Sequence, residues 1–234
     1  MQLSRTWICL AGLTAGLAVS AVGCVPNESS LFVQGVLALE SGDCTASPDP
    51  GARMLANGVM DTLLTRRYEA ALLVGNQMVP RGSADQIRTE TARVSLRGAE
   101  VRVSDTLGNN LDEFSVDGTG FVDPASGTSP GYGVLFATLI PQPTGLDDNV
   151  IATVKVFGRT LGGREMESGE LAFPIHICSG CLISYPTDAD DTAQPGYQCT
   201  RAADSALDQP CFFGQDELVD CRLCASSIPE CQSP

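Results

Sequence analysis

Polar and apolar residues alternate with a period of two along much of the chain between positions 31 and 183. That spacing puts successive side chains on opposite faces of a strand. Residues 31–39 (LFVQGVLAL) read as one strand, and in 68–78 Tyr68, Ala70, Leu72 and Val74 fall on a single face. In 92–104, Val94 and Leu96 alternate with Arg93, Ser95 and Arg97; after Gly98-Ala99 the pattern resumes as Val101 and Val103 against Arg102 and Ser104. The interruption predicts a bulge or bend at the glycine. Residues 133–140, 149–160 and 168–178 complete the set, with 150–157 and 170–177 predicted as a hairpin around Gly162-Gly163. Turn signals separate them: residues 107–110, Asp117-Gly118, Ser126-Gly127, Pro141 with Pro143, and residues 161–163. Short strands between such turns predict an all-β fold, an immunoglobulin-like β-sandwich over residues 31–183. Residues 52–64 predict one short helix, weakened by Gly58.

From Ser184 the texture changes. Cys178, Cys181, Cys199, Cys211, Cys221, Cys224 and Cys231 lie among Asp, Gln, Pro and Ser, with few apolar residues. Such a segment cannot bury enough surface to fold unaided and needs covalent staples. Residues 184–234 are therefore expected to be a small, disulfide-rich, mostly irregular segment. Seven is an odd number, and Cys44 is the eighth candidate. If all eight pair, one tail cysteine must join Cys44 and close a loop of at least 134 residues. By chain entropy that closure adds about 4 to 5 kcal/mol.

The N-terminus carries an address. Arg5 and the amino group supply a small positive region, and residues 7–22 form an uncharged apolar run that ends at Ala21-Val22-Gly23-Cys24. This is the layout of a secretory signal peptide over residues 1–23, and the run falls short of the ~20 residues a spanning helix needs. The ending resembles a bacterial lipoprotein lipobox, with Val22, Gly23 and Cys24 in their places and Ala21 where the pattern has Leu. An ordinary small-x-small cleavage site would cut the same bond. Parity favours Cys24 as a lipidation site: once Cys9 leaves with the signal and Cys24 carries lipid, the eight disulfide candidates remain, an even number. The resemblance implies more than one acyl chain, enough for stable anchoring, and Val25 in place of Asp implies the outer membrane. Residues 24–30 would then be a tether.

Composition narrows the functional classes. The chain has 234 residues, 14 Lys+Arg against 28 Asp+Glu, and a net charge of −14. With 43% hydrophobic and 18% charged residues it is neither a disordered acidic tail nor a membrane bundle. Nothing is present to neutralise a run of phosphates, so nucleic acid is excluded as a partner. There is one Lys, Lys155, and one His, His176.

Several motifs invite chemistry. Cys178-x-x-Cys181 and Cys221-x-x-Cys224 share the spacing of a zinc ribbon, but their interval is long and four other cysteines would go unexplained, so disulfides are expected and no metal or other cofactor. A thioredoxin-like role needs a βαβ setting that this chain lacks. His176 falls on the strand face opposite Phe173, Ile175 and Ile177, as a polar outward residue would, and no second His could assist it. Asp188, Asp190 and Asp191, and Asp147, Asp148 and Asn149, offer oxygen ligands without the twelve-residue EF-hand pattern; they read as turn carboxylates. No P-loop or dinucleotide glycine pattern occurs. Arg66, Arg67, Arg93, Arg97 and Arg102 are expected on polar strand faces, and the mature chain contains no Trp once Trp7 has left.

A wider resemblance rests on YEAALLVGNQM, on IRTETARVSLRGAEV and on FPIHICSGCL. Over residues 68–103 and 173–182 the chain resembles a group of myxobacterial-type outer-membrane lipoproteins with a Cys-rich C-terminal region. The resemblance implies a sandwich and an envelope location, and it implies no activity. The expectation is a non-enzymatic binding or structural lipoprotein that meets the membrane through its anchor, and an envelope protein or glycan through its loops. The alternative is an envelope hydrolase using a metal or paired carboxylates, which needs Asp and Glu side chains that converge in space.

Overall fold

The structure, a computed structural model, describes residues 30–39, 42–82, 90–143, 146 and 148–234. Among the described residues twelve strands follow one another without an α-helix: β1 (Leu31–Leu37), β2 (Met54–Leu55), β3 (Gly58–Asp61), β4 (Tyr68–Asn76), β5 (Val94–Asp105), β6 (Asn110–Val122), β7 (Gly131–Ile140), β8 (Asn149–Thr160), β9 (Glu165–Glu167), β10 (Leu171–Cys178), β11 (Ile183–Ser184) and β12 (Val219–Asp220). One sheet has the order β2-β1-β4-β7; the other runs β3-β10-β8-β5-β6, with β9 on β8. Within these two sheets all pairings are antiparallel except β10 with β3. This order defines a two-sheet sandwich and does not by itself assign immunoglobulin topology.

The alternation seen in the sequence builds the core between the sheets. Ala70, Leu72 and Val74 of β4 meet Val101 and Val103 of β5, Val150 to Val156 on alternate positions of β8, and Phe173, Ile175 and Ile177 of β10 in one buried cluster. In β5 the inward residues are Val94 and Leu96, then Ala99, Val101 and Val103, so the parity flips. The register shift between Leu96 and Gly98, in the ladders to both β6 and β8, makes this possible. One added residue restores the apolar face to the core. A side chain on Gly98 would lie 2.1 Å from the Val116 carbonyl, which is why glycine marks the bulge.

Strand β4 is buried on both sides. Its other face, Ala71 and Leu73, packs with Leu37 of β1, Met54 of β2, and Ala46 and Ala52 of the segment between those strands. The outer face of the larger sheet is charged: Lys155 pairs with Glu100 (3.6 Å) and Glu167 (2.5 Å), Arg102 with Glu170, and Arg97 and Arg159 with Glu165.

Two expectations are corrected. Residues 52–64 hold β2, β3 and a turn in place of a helix. The ladder from β3 to β10 overrides local propensity, and Gly58 sits where a Cβ would come 2.4 Å from the Tyr68 hydroxyl. Asp117-Gly118 is not a turn; it lies inside β6, at the register shift opposite Leu96 and Gly98.

Beyond β10 the chain is mostly irregular, with the two-residue ladder of β11 and β12 and short 3-10 turns at Thr187–Ala189, Cys221–Leu223 and Pro229–Cys231. Its small core consists of Ile183, Ala189, Val219 and four half-cystines, Cys199, Cys221, Cys224 and Cys231, with Leu63 and Leu64 of the sandwich leaning against it.

Candidate functional site

The densest polar constellation lies where the C-terminal segment enters the sandwich. Gly214 and Asp216 adopt positive φ (79° and 58°), turning the backbone so that residues 214–216 run along the free edge of β3. Asp61 N–H donates to the Gly214 carbonyl (2.9 Å) and Asp216 N–H to the Val59 carbonyl (3.1 Å). An otherwise bare sheet edge is thereby covered. Gln215, itself buried, reaches the opposite sheet: its amide nitrogen donates to the Glu69 carbonyl and its oxygen accepts from Glu69 N–H, both at 3.0 Å. Strand β1 last pairs with β4 at Leu72, so the Gln215 side chain supplies the partner that β4 lacks beyond that point.

Asp216 is the electrostatic centre of this seam. One carboxylate oxygen accepts from Val59 N–H at 2.8 Å and the other from the Tyr68 hydroxyl at 2.7 Å. Burial pushes the Asp216 carboxyl above its ordinary range, against the two hydrogen bonds that favour its charged form. Burial, then the nearby Asp216 charge, holds the Tyr68 hydroxyl protonated at every physiological pH. Glu69 accepts from the Thr138 hydroxyl at 3.0 Å and lies 3.4 Å from Arg67.

A fully buried carboxylate, Asp61, organises the loop after β10. It accepts from Leu63 N–H (3.0 Å), Gly180 N–H (2.8 Å) and Leu182 N–H (2.9 Å). A carboxylate oxygen of Asp61 and the sulfurs of Cys178 and Cys181 lie within 4.8 Å of one another, and so do those of Asp220, Cys199 and Cys221. In both groups the two sulfurs are joined to each other. A disulfide sulfur is not the thiolate that grips a metal.

The eight candidate cysteines come together in four pairs: Cys44–Cys211, Cys178–Cys181, Cys199–Cys221 and Cys224–Cys231. The first spans 167 residues and ties the cover of the four-stranded sheet to the C-terminal segment. The two CxxC motifs differ: Cys178 and Cys181 pair with each other, whereas Cys221 and Cys224 take outside partners. Cys24 and Asp147 lie outside the described residues. His176 is exposed, its Nδ1 3.1 Å from Asn149 Oδ1. Asp190 accepts from Gln198 N–H and Asp191 from Ala193 N–H, while Asp188 and Asp220 hold the Arg222 guanidinium at 2.9 and 2.6 Å. The aspartate cluster is thus divided among local turns and an ion pair.

The best-formed cleft runs beside the seam, lined by Leu37, Leu39, Leu55, Ala71 and Phe212 with Glu69 and Asp216. At about 40 Å³ it holds little more than one water, and small-molecule sites are typically ~300–1,000 Å³. Tyr68, Asp61, Gln215 and Asp216 carry this constellation, and sequence reading assigned a role to none of them. The available signal was Gly58 inside a would-be helix, a place where a bulky neighbour demands room. Comparison with known protein families and with curated proteins finds no match to this chain.

Proposed function

We propose that the chain is an exported envelope lipoprotein, held at the outer membrane through Cys24, and that it presents a rigid binding or structural surface and performs no catalysis. The observation behind this reading is that all eight cysteines among the described residues are paired, one pair bridging 167 positions. Crosslinks at that density persist in oxidising compartments and are rare in a reducing cytosol. Once Cys9 leaves with the leader, Cys24 is the one cysteine outside these four pairs, and a thioether to lipid would account for it.

The buried carboxylates support a non-catalytic reading. Asp61 is occupied by three backbone N–H groups, and Asp216 by Val59 and Tyr68. Their acceptor sites serve to join segments of chain, and the cleft that Asp216 lines, at about 40 Å³, is far smaller than a typical small-molecule site. Loops on a rigid sandwich are then the natural place for contact with an envelope protein or a glycan. Radiolabelled palmitate fed to cells producing the wild type and Cys24→Ser tests the reading. Label is expected in the wild type alone; equal incorporation in both would overturn it.

A further inference from the structure

We infer that the end of the sandwich from which the chain runs back toward Cys24 is a membrane-docking face that receives the phosphate groups of anionic lipids; this rests on the anchoring of Cys24 proposed above. The Ser30 carbonyl accepts from Gln77 N–H at 2.7 Å, and β1 begins at the next residue, paired with Asn76. Cys24 precedes Ser30 by six residues, so even a fully extended chain spans only about 20 Å. An acylated Cys24 would keep this end within that distance of the headgroups.

The side chains there differ from the rest of the molecule. Residues 184–234, packed at the other end, carry nine Asp and Glu against two Arg, and the whole chain is at −14. Beside Ser30, Arg81 and Arg164 flank a recess of about 90 Å³ shared with Thr91 and Thr160. Neither arginine enters an ion pair with a described residue. Glu90, next in sequence to Thr91 of the recess, accepts from the N–H groups of Arg81, Gly82 and Ala92, which hold it as a charged carboxylate, so the two arginines leave a net positive charge of one there. Exposed apolar side chains neighbour it along the chain: Val79 (76% exposed) follows Met78 of the recess and Leu161 (51%) lies between Thr160 and Gly162, while the exposed Phe121 ring lies 5.6 Å beneath the Arg93 guanidinium, which pairs with Asp123. Guanidinium groups that have no ion pair among the described residues, beside exposed apolar side chains, are the combination that favours an anionic membrane interface. The acidic C-terminal segment, repelled by the same surface, points away from it.

A fluorescence experiment on the lipidated full chain tests this. The only Trp in the sequence, Trp7, leaves with the leader, so Leu161→Trp and Leu218→Trp each give a single reporter, at the near and far ends. Each protein is placed in phosphatidylcholine vesicles with and without phosphatidylglycerol, and quenching by a headgroup nitroxide lipid is read. Mass spectrometry of the N-terminal peptide comes first: absence of acyl chains on Cys24 would overturn the anchor reading and this inference with it. Given acylation, strong quenching of Leu161→Trp that depends on phosphatidylglycerol, with little for Leu218→Trp, supports the docking face. Adding Arg81→Ser and Arg164→Ser should shift the docked-to-undocked ratio by about fivefold per arginine, equivalent to ~1 kcal/mol each. Equal quenching of both reporters, or Leu161→Trp quenching indifferent to phosphatidylglycerol and to the arginines, would overturn the docking face while leaving the anchor intact.

Discussion

The sandwich and the C-terminal segment reach an ordered state by different routes. The sandwich buries a continuous sheet of Val, Leu, Ile and Ala between two layers, and no disulfide joins one of its sheets to the other. The C-terminal segment fully buries two aliphatic side chains of its own, Ala189 and Val219, next to Ile183; its core is otherwise made of half-cystines, with Tyr185, Tyr197, Leu223 and Ile228 half-buried against them. Apolar burial contributes about 25 cal/mol per Å², so a segment with so little of it must lower the entropy of its unfolded state by crosslinking. The contrast also explains the seam. A sulfur-held segment that must keep a fixed place on a packing-held body needs directional bonds, and Gln215 and Asp216 supply them to both sheets.

The largest expected effect comes from cutting the long crosslink. Replacing Cys44 and Cys211 with Ser frees a loop of 167 residues, and chain entropy puts the loss at about 5 kcal/mol of unfolding free energy, read from global denaturant unfolding. A loss below ~1 kcal/mol would mean that the seam alone holds the two regions. Replacing Cys199 and Cys221, separated by 22 residues, should cost about 3 kcal/mol. That loss should be confined to residues 184–234, with proteolysis there and an unchanged sandwich.

Tyr68→Phe comes next. It leaves one oxygen of the half-buried Asp216 without its hydroxyl donor, a loss of about 1–3 kcal/mol. The pH response sharpens this. The folded Asp216 carboxyl is raised by burial, so its stabilising contribution is present below the unfolded value of about 4 and fades as pH rises through the folded value. Asp216→Asn should remove that decline, so the variant gains on the wild type between acid and neutral pH in chemical denaturation; a constant offset would contradict the assignment. The smallest effect belongs to the charged outer face. Lys155→Met, which removes the pairs to Glu100 and Glu167, should change stability by less than about 1 kcal/mol, because exposed pairs are weak and screened.

How much was legible follows from the same contrast. Where one face of a strand is buried and the other wet, as in β5, β8 and β10, the alternation itself states the fold, and the glycine of the β5 bulge can be read in advance. β6 escaped because its residues are largely exposed and polar, so Asp117-Gly118 read as a turn. β3 escaped because its pairing with β10 is parallel and distant in sequence, a ladder that local spacing cannot reveal. The need for disulfides in the tail was legible from composition and parity. The seam was not. Gln215 and Asp216 meet Glu69, Tyr68 and Val59 across some 150 residues through a few hydrogen bonds, and no periodicity encodes such a meeting.

Hydrogen exchange during graded reduction tests the central claim most directly, namely that packing holds one region and sulfur the other. As reductant is raised, amides of residues 184–234 should lose protection first, while those of β4, β5 and β8 remain the slowest to exchange. Loss of protection in both regions at the same reductant concentration would show a single cooperative unit and contradict the account.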